Sequence, residues 1–178
     1  MSRRNKFVFT GLQIAAWIIF VALCIHAGSL IVNFIFSLIK PGFVHNLNQP
    51  LDLPRIHTDS KGAFFSIYSF ILTISILKAY LFYIVTRLMH KMDIAKPFHK
   101  FVSAQILKIS YYTLAIGLIS FMARQFVKKL THQGIVTDSL SPFWVDSQAF
   151  ILMGAVVYII ATIFNKGVEI QTENELTV

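Results

Sequence analysis

Four long apolar runs organise the chain: Ile14–Ile39, Ala63–Leu88, Phe101–Ala123 and Val145–Phe164. Each meets or exceeds the about 20 residues an α-helix needs to cross a hydrocarbon core of about 30 Å. Inside a bilayer no water satisfies the peptide groups, so a spanning segment of this kind must be helical. The pattern predicts an all-α membrane protein, a four transmembrane helix bundle. Residues 1–178 form a single membrane domain with spans near 12–39, 63–88, 101–123 and 145–164, and a tail over 166–178. The first run is longer than a crossing requires, so it tilts, bends near Gly28 or projects from one face. It is also far longer than the about 7–15 apolar residues of a signal-peptide core. A retained first helix is the expectation.

Helical spacing sorts each run into faces, at about 100° per residue. On the first helix Gly11, Ala15, Ala22, His26, Ser29, Asn33 and Ser37 form one stripe of small and polar groups. Ser66, Ser69, Thr73, Tyr80 and Arg87 share a face on the second helix. Gln105, Lys108 and Tyr112 do so on the third, and Gly154, Tyr158, Ala161, Thr162 and Asn165 on the fourth. In lipid, small residues admit close backbones and polar ones bond between helices. These faces are therefore expected to point inward.

Composition sharpens the membrane reading. The chain is 56% hydrophobic and 13% charged, with 17 Phe, 6 Tyr and 2 Trp. Its net charge of +8 would suggest nucleic acid in a soluble protein. Here the basic residues flank the spans, so anionic lipid is their partner and direct nucleic-acid binding is not expected. Arg3, Arg4, Lys6, Arg87, Lys91, Lys96, Lys100 and Lys166 fall on one side, 8 residues, against 6 on the other. The positive-inside bias puts both termini in the cytoplasm. The expected location is a bacterial cytoplasmic membrane, where a homo-oligomer is compatible with the pattern.

Chemistry is harder to find. Lys78 lies near the middle of the second span, where a lysine costs about 2.5–3.5 kcal/mol on insertion scales. It is a candidate intramembrane polar residue, with His26, Asn33 and Lys108. Snorkelling or packing accounts for such residues as readily as function does. The sequence holds no metal-ligand spacing, P-loop, GxSxG or GxGxxG, and Cys24 is its single cysteine. A non-enzymatic protein without catalytic, cofactor or metal residues is expected. The alternative is a small transporter or channel subunit with a polar cavity around Lys78 or His26.

The chain closes on FNKGVEIQTENELTV, Phe164 to Val178. Asn165, Lys166 and Gly167 read as a helix end, with a cation and then a glycine past the last turn. Val168 and Ile170 alternate with Glu169 and Gln171, which suits a short extended segment. This ending, with Lys96-Pro97-Phe98 ahead of the third span, resembles a bacterial membrane family known as domain of unknown function 2975. The resemblance covers the whole chain in layout. Where that family often carries an arginine-rich stretch after Pro-Phe, this chain has His99, Lys100 and Gln105. The resemblance implies four spans and no assigned activity. Its members are often encoded beside a small helix-turn-helix regulator, which implies a cytoplasmic partner. The candidate docking residues are Pro97, Phe98, Glu169, Gln171, Glu173, Asn174 and Glu175. The bland alternative is that tail and Pro-Phe loop only lock the inner face of the bundle.

Overall fold

The computed structural model describes residues 3–39, 61–92, 98–133 and 147–176. They form α1 (Arg3–Ile39), α2 (Lys61–Lys91), α3 (Lys100–His132) and α4 (Ser147–Leu176). All four helices are long and apolar enough to cross a membrane. They also outrun the predicted spans. The 33 residues of α3, at 1.5 Å each, reach about 50 Å. That helix continues past Ala123 because Val127 and Leu130 are still buried. The ring of Phe126 lies 5.9 Å from that of Phe70 on α2. Its start is fixed by His99, whose Nδ1 accepts from the Phe101 N–H at 3.1 Å. Such a cap satisfies one of the amides that a helix start leaves open.

The helices pack in chain order: α1 on α2, α2 on α3, and α3 most extensively on α4. Neighbours run antiparallel. Gln13 near the start of α1 approaches His90 near the end of α2, at 3.4 Å. The Arg87 guanidinium and Lys91 ammonium lie 5.9 Å and 5.6 Å from the Phe101 ring centroid at the start of α3. One end of the array, here the proximal end, therefore gathers the start of α1, the end of α2, the start of α3 and the end of α4.

The main apolar core sits at the opposite, distal end. There Leu30 of α1, Phe64, Ile67, Tyr68 and Ile71 of α2, and Ala123 and Val127 of α3 come together. The Tyr68 hydroxyl donates to the Leu30 carbonyl at 2.9 Å, tying α1 to α2.

The expectation that polar faces point inward is corrected on all four helices; on α4, Tyr158, Thr162 and Asn165 are exposed while Gly154 and Ala161 are buried. On α1, Gly11, Ala15, Ala22, His26 and Ser29 are exposed, while Ala16, Ala27, Leu30 and Ser37 are buried. On α2, Ser69, Thr73, Tyr80 and Arg87 are exposed and the aliphatic and aromatic face packs. On α3, Gln105 is buried but Lys108 is exposed. Lipid is as apolar as leucine, so polarity alone does not drive helices together in a bilayer; shape and dispersion do. Only 11% of the most apolar stretch of α1 is buried, against 33% for α2 and α3, which makes α1 the peripheral helix.

The α3–α4 contact shows which feature of the sequence does select a partner. Ser103, Ser110 and Gly117 of α3 are buried, as are Ser147, Gly154, Ala161 and Val168 of α4. Within each set the residues recur every seventh position. This is the repeat of a left-handed helix pair, and six of the seven side chains are small. At Gly117 an added Cβ would lie 2.8 Å from the Ile151 backbone nitrogen, and at Gly154 2.8 Å from that of Leu114. The two backbones are thus in near contact. The Ser110 and Ser147 hydroxyls are buried on this seam without a hydrogen-bond partner among the described residues. Size, not hydrogen bonding, places them there.

Candidate functional site

The proximal end carries the chemistry. The sequence suggests that the last helix stops at Gly167, and the structure corrects this: α4 runs without a break to Leu176. The glycine is there for another reason. A Cβ at Gly167 would meet Cδ1 and Cε1 of Phe98 at 2.7 Å and 2.8 Å, so the bare backbone seats that ring. Phe98 also lies 5.3 Å from the Phe164 ring, one turn earlier on α4. Beyond Gly167 the helix is supported locally. Val168 is buried, Thr172 Oγ1 donates to the Val168 carbonyl at 2.8 Å, and Lys166 pairs with Glu169 at 2.9 Å. That ion pair is solvent-exposed, 70% and 49% by side chain. Exposed pairs of this kind are screened by water and contribute little, so Phe98 and Val168 matter more than the charges.

With α4 extended, its outer turns and the first turns of α3 enclose a groove of about 540 Å³. Its end toward the spans is apolar, with Ala104 and Leu107, and Val168 is buried at the level of Lys100. Its middle carries Ser103, whose hydroxyl donates to Asn165 Oδ1 at 3.2 Å, while Asn165 Nδ2 donates to Glu169 Oε1 at 3.4 Å. Its outer rim holds Lys100 on one wall and Glu169, Thr172 and Glu173 on the other. The groove therefore grades from hydrocarbon-like to charged over two helical turns.

The predicted docking residues divide among several surroundings. Phe98 is half-exposed over Gly167, and Glu169 and Glu173 line the groove. Gln171 is half-buried, and Asn174 is exposed on α4. Glu175 belongs to the same helix, and Pro97 lies outside the described residues. The groove partners Ser103, Ala104 and Leu107 escape a reading by charge and motif, which takes Lys100 only as a flanking cation and Asn165 only as part of a polar face. Their signal is the serine at the start of the seven-residue repeat, directly across from Asn165.

The four intramembrane polar candidates do not converge. His26 and Lys108 are exposed on the outer surfaces of α1 and α3, and Asn33 is half-buried on α1. Lys78 is half-buried, its ammonium 5.4 Å from the centroid of the Phe150 ring on α4. Phe150 lies in the opening turns of α4, so the lysine stem leans toward the distal end. That is the direction set by the Cα–Cβ tilt of α2. A cation over an aromatic face gains about 0.5–2 kcal/mol, more when desolvated, which offsets part of the insertion cost.

The family model described as protein of unknown function (DUF2975) matches residues 46–178. The chain belongs to this family. The DUF2975 match takes in α2, α3, α4, the Phe98–Gly167 contact and the whole groove, and begins after α1 has ended. The comparisons with curated proteins and with solved structures give no match. The family carries no assigned activity, so the geometry of the proximal end is the guide to function.

Proposed function

We propose that this DUF2975 protein is a non-enzymatic, multi-pass protein of a bacterial cytoplasmic membrane. It docks a cytoplasmic regulator, a small helix-turn-helix protein by the family resemblance, on the proximal end. The basic residues of that end, Arg87, Lys91, Lys100 and Lys166 among them, favour a cytoplasmic position. Both termini then lie in the cytoplasm.

The observation that carries the docking reading is the rigid continuation of α4. A loose polar tail would be ordered only on binding, at an entropic cost for each residue fixed. Here residues 167–176 are already helical and are held by Phe98. Away from the groove and from Phe98, the helix presents Lys166, Ile170 and Asn174, all exposed. One apolar residue between a cation and an amide has the makeup of a small docking face, apolar at its centre and polar at its rim. Transport would instead need Lys78, His26, Asn33 and Lys108 to line one path.

The test is site-specific photocrosslinking from Ile170 and Asn174 in inverted membrane vesicles that contain the cytosolic helix-turn-helix proteins of the same cell. A crosslink to one such regulator from both positions, and none from Leu118 on the span of α3, is the expected result. Crosslinks to lipid alone would contradict the docking reading.

A further inference from the structure

We propose that the α3–α4 groove holds the headgroup and glycerol end of an aminophospholipid, one with an unmethylated ammonium, as in phosphatidylethanolamine. This does not rest on the docking reading, because Lys166, Ile170 and Asn174 are not among the residues that line the groove.

The argument begins with depth. Lys100 opens α3, and Leu107 is two turns further along the apolar helix. The groove thus straddles the level where hydrocarbon gives way to headgroups. Its apolar end continues into the lipid-facing surface, and its charged end opens to water. Its volume, about 540 Å³, falls within the about 300–1,000 Å³ of small-molecule sites. Acyl chains lie along Ala104 and Leu107, with the glycerol beside Ser103.

The charges then select the headgroup. Lys100 faces Glu169 and Glu173 across the groove. A phosphate alone would meet two carboxylates, and an ammonium alone would meet the lysine. A zwitterion satisfies both walls, its phosphate on Lys100 and its ammonium on Glu173, Glu169 and the Thr172 hydroxyl. The Lys100 ammonium on the opposite wall disfavours a purely basic peptide. Methylation of the ammonium discriminates further. A quaternary ammonium has no N–H to donate and is held best by aromatic faces. Among the described residues, the lining contains no aromatic side chain and offers carboxylates and a hydroxyl. Each N–H bonded to an ionised acceptor is a charge-assisted hydrogen bond that choline cannot make.

The test is native mass spectrometry of the full-length protein in detergent, with phosphatidylethanolamine, phosphatidylcholine and phosphatidylglycerol supplied at equal mole fraction. Losing one hydrogen bond to a charged group is worth roughly a factor of ten, so about tenfold retention of the ethanolamine lipid over the choline lipid is expected. The Glu169→Gln/Glu173→Gln variant should bring the two toward parity. Both carboxylates are exposed, and unchanged helical circular dichroism would show that the variant is folded. The wild-type preference is in any case independent of the variant. Equal retention of ethanolamine and choline lipids, preference for the glycerol lipid, or an unchanged preference in the variant would overturn the proposal. So would equal competition by soluble glycerophosphoethanolamine, which would make the ligand a cytosolic small molecule.

Discussion

Replacing Gly154 by alanine tests whether the α3–α4 seam is built on close backbones. The added Cβ would sit 2.7 Å from Leu114 Cγ, 2.8 Å from the Leu114 backbone nitrogen and 2.9 Å from Leu114 Cδ2. Favourable contacts between such atoms lie at about 3.5–4.0 Å. The leucine side chain can rotate, but the nitrogen belongs to a helix and cannot, so the helices must part locally by about 1 Å. Overpacking of this kind costs about 1–3 kcal/mol, while alanine regains about 1 kcal/mol of helix propensity over glycine. The net expectation is a destabilisation of about 1 kcal/mol, with up to 2 kcal/mol where the seam is stiff. Gly117→Ala meets the Ile151 backbone nitrogen at 2.8 Å in the same way. Since the same separation relieves both clashes, the double variant should cost less than the sum of the singles. Gly28→Ala is the control, because nothing lies within 4 Å of its Cβ position. It should be neutral or slightly stabilising. Reversible unfolding in mixed micelles measures all four. If Gly154→Ala proves no less stable than Gly28→Ala, the close-backbone reasoning is refuted.

Further outcomes are expected elsewhere in the fold. Tyr68→Phe removes the 2.9 Å bond to the Leu30 carbonyl and should lower stability by about 1 kcal/mol in the same unfolding assay. Lys78→Met deletes a cation whose insertion costs about 2.5–3.5 kcal/mol for a cation–π return nearer 2 kcal/mol. Its second helix should therefore insert more efficiently in a glycosylation-mapping assay. Phe98→Ala empties the seat over Gly167 and should speed proteolysis within residues 167–176 while leaving the spans resistant. Gly167→Ala should have a milder effect there, because the atoms it meets, at 2.7 Å and 2.8 Å, belong to a phenyl ring that can turn aside.

Much of the layout is legible in the sequence. Run length alone locates the four helices, because crossing about 30 Å of hydrocarbon demands about 20 apolar residues. The pairing of Phe98 with the glycine of the tail is not legible in the chain, because only the fold brings the ring onto Gly167. Two features mislead a reading by polarity. The α1 stripe of Gly11, Ala15, Ala22, His26 and Ser29 is consistent in spacing, yet it is exposed. Helices in lipid associate through fit, and α1 meets α2 through Ala16, Ala27 and Leu30 instead. Conversely, Ser103, Ser110 and Gly117 do not look like a polar face, but their size and seven-residue spacing encode the most extensive helix contact among the described residues. The helix end at Gly167 misleads for a related reason. Glycine at that position satisfies a contact from Phe98, which is distant in sequence, and local stop signals cannot reveal it.

The groove and the proposed docking face both require that α4 leave the membrane as one held helix. Hydrogen exchange of residues 167–176 in lipid nanodiscs tests this most directly. Amides of Val168 to Thr172 protected well beyond a free peptide, with the protection lost in Phe98→Ala, is the predicted result. Exchange at the intrinsic rate in the wild-type protein would contradict the claim, and with it both the groove and the docking face.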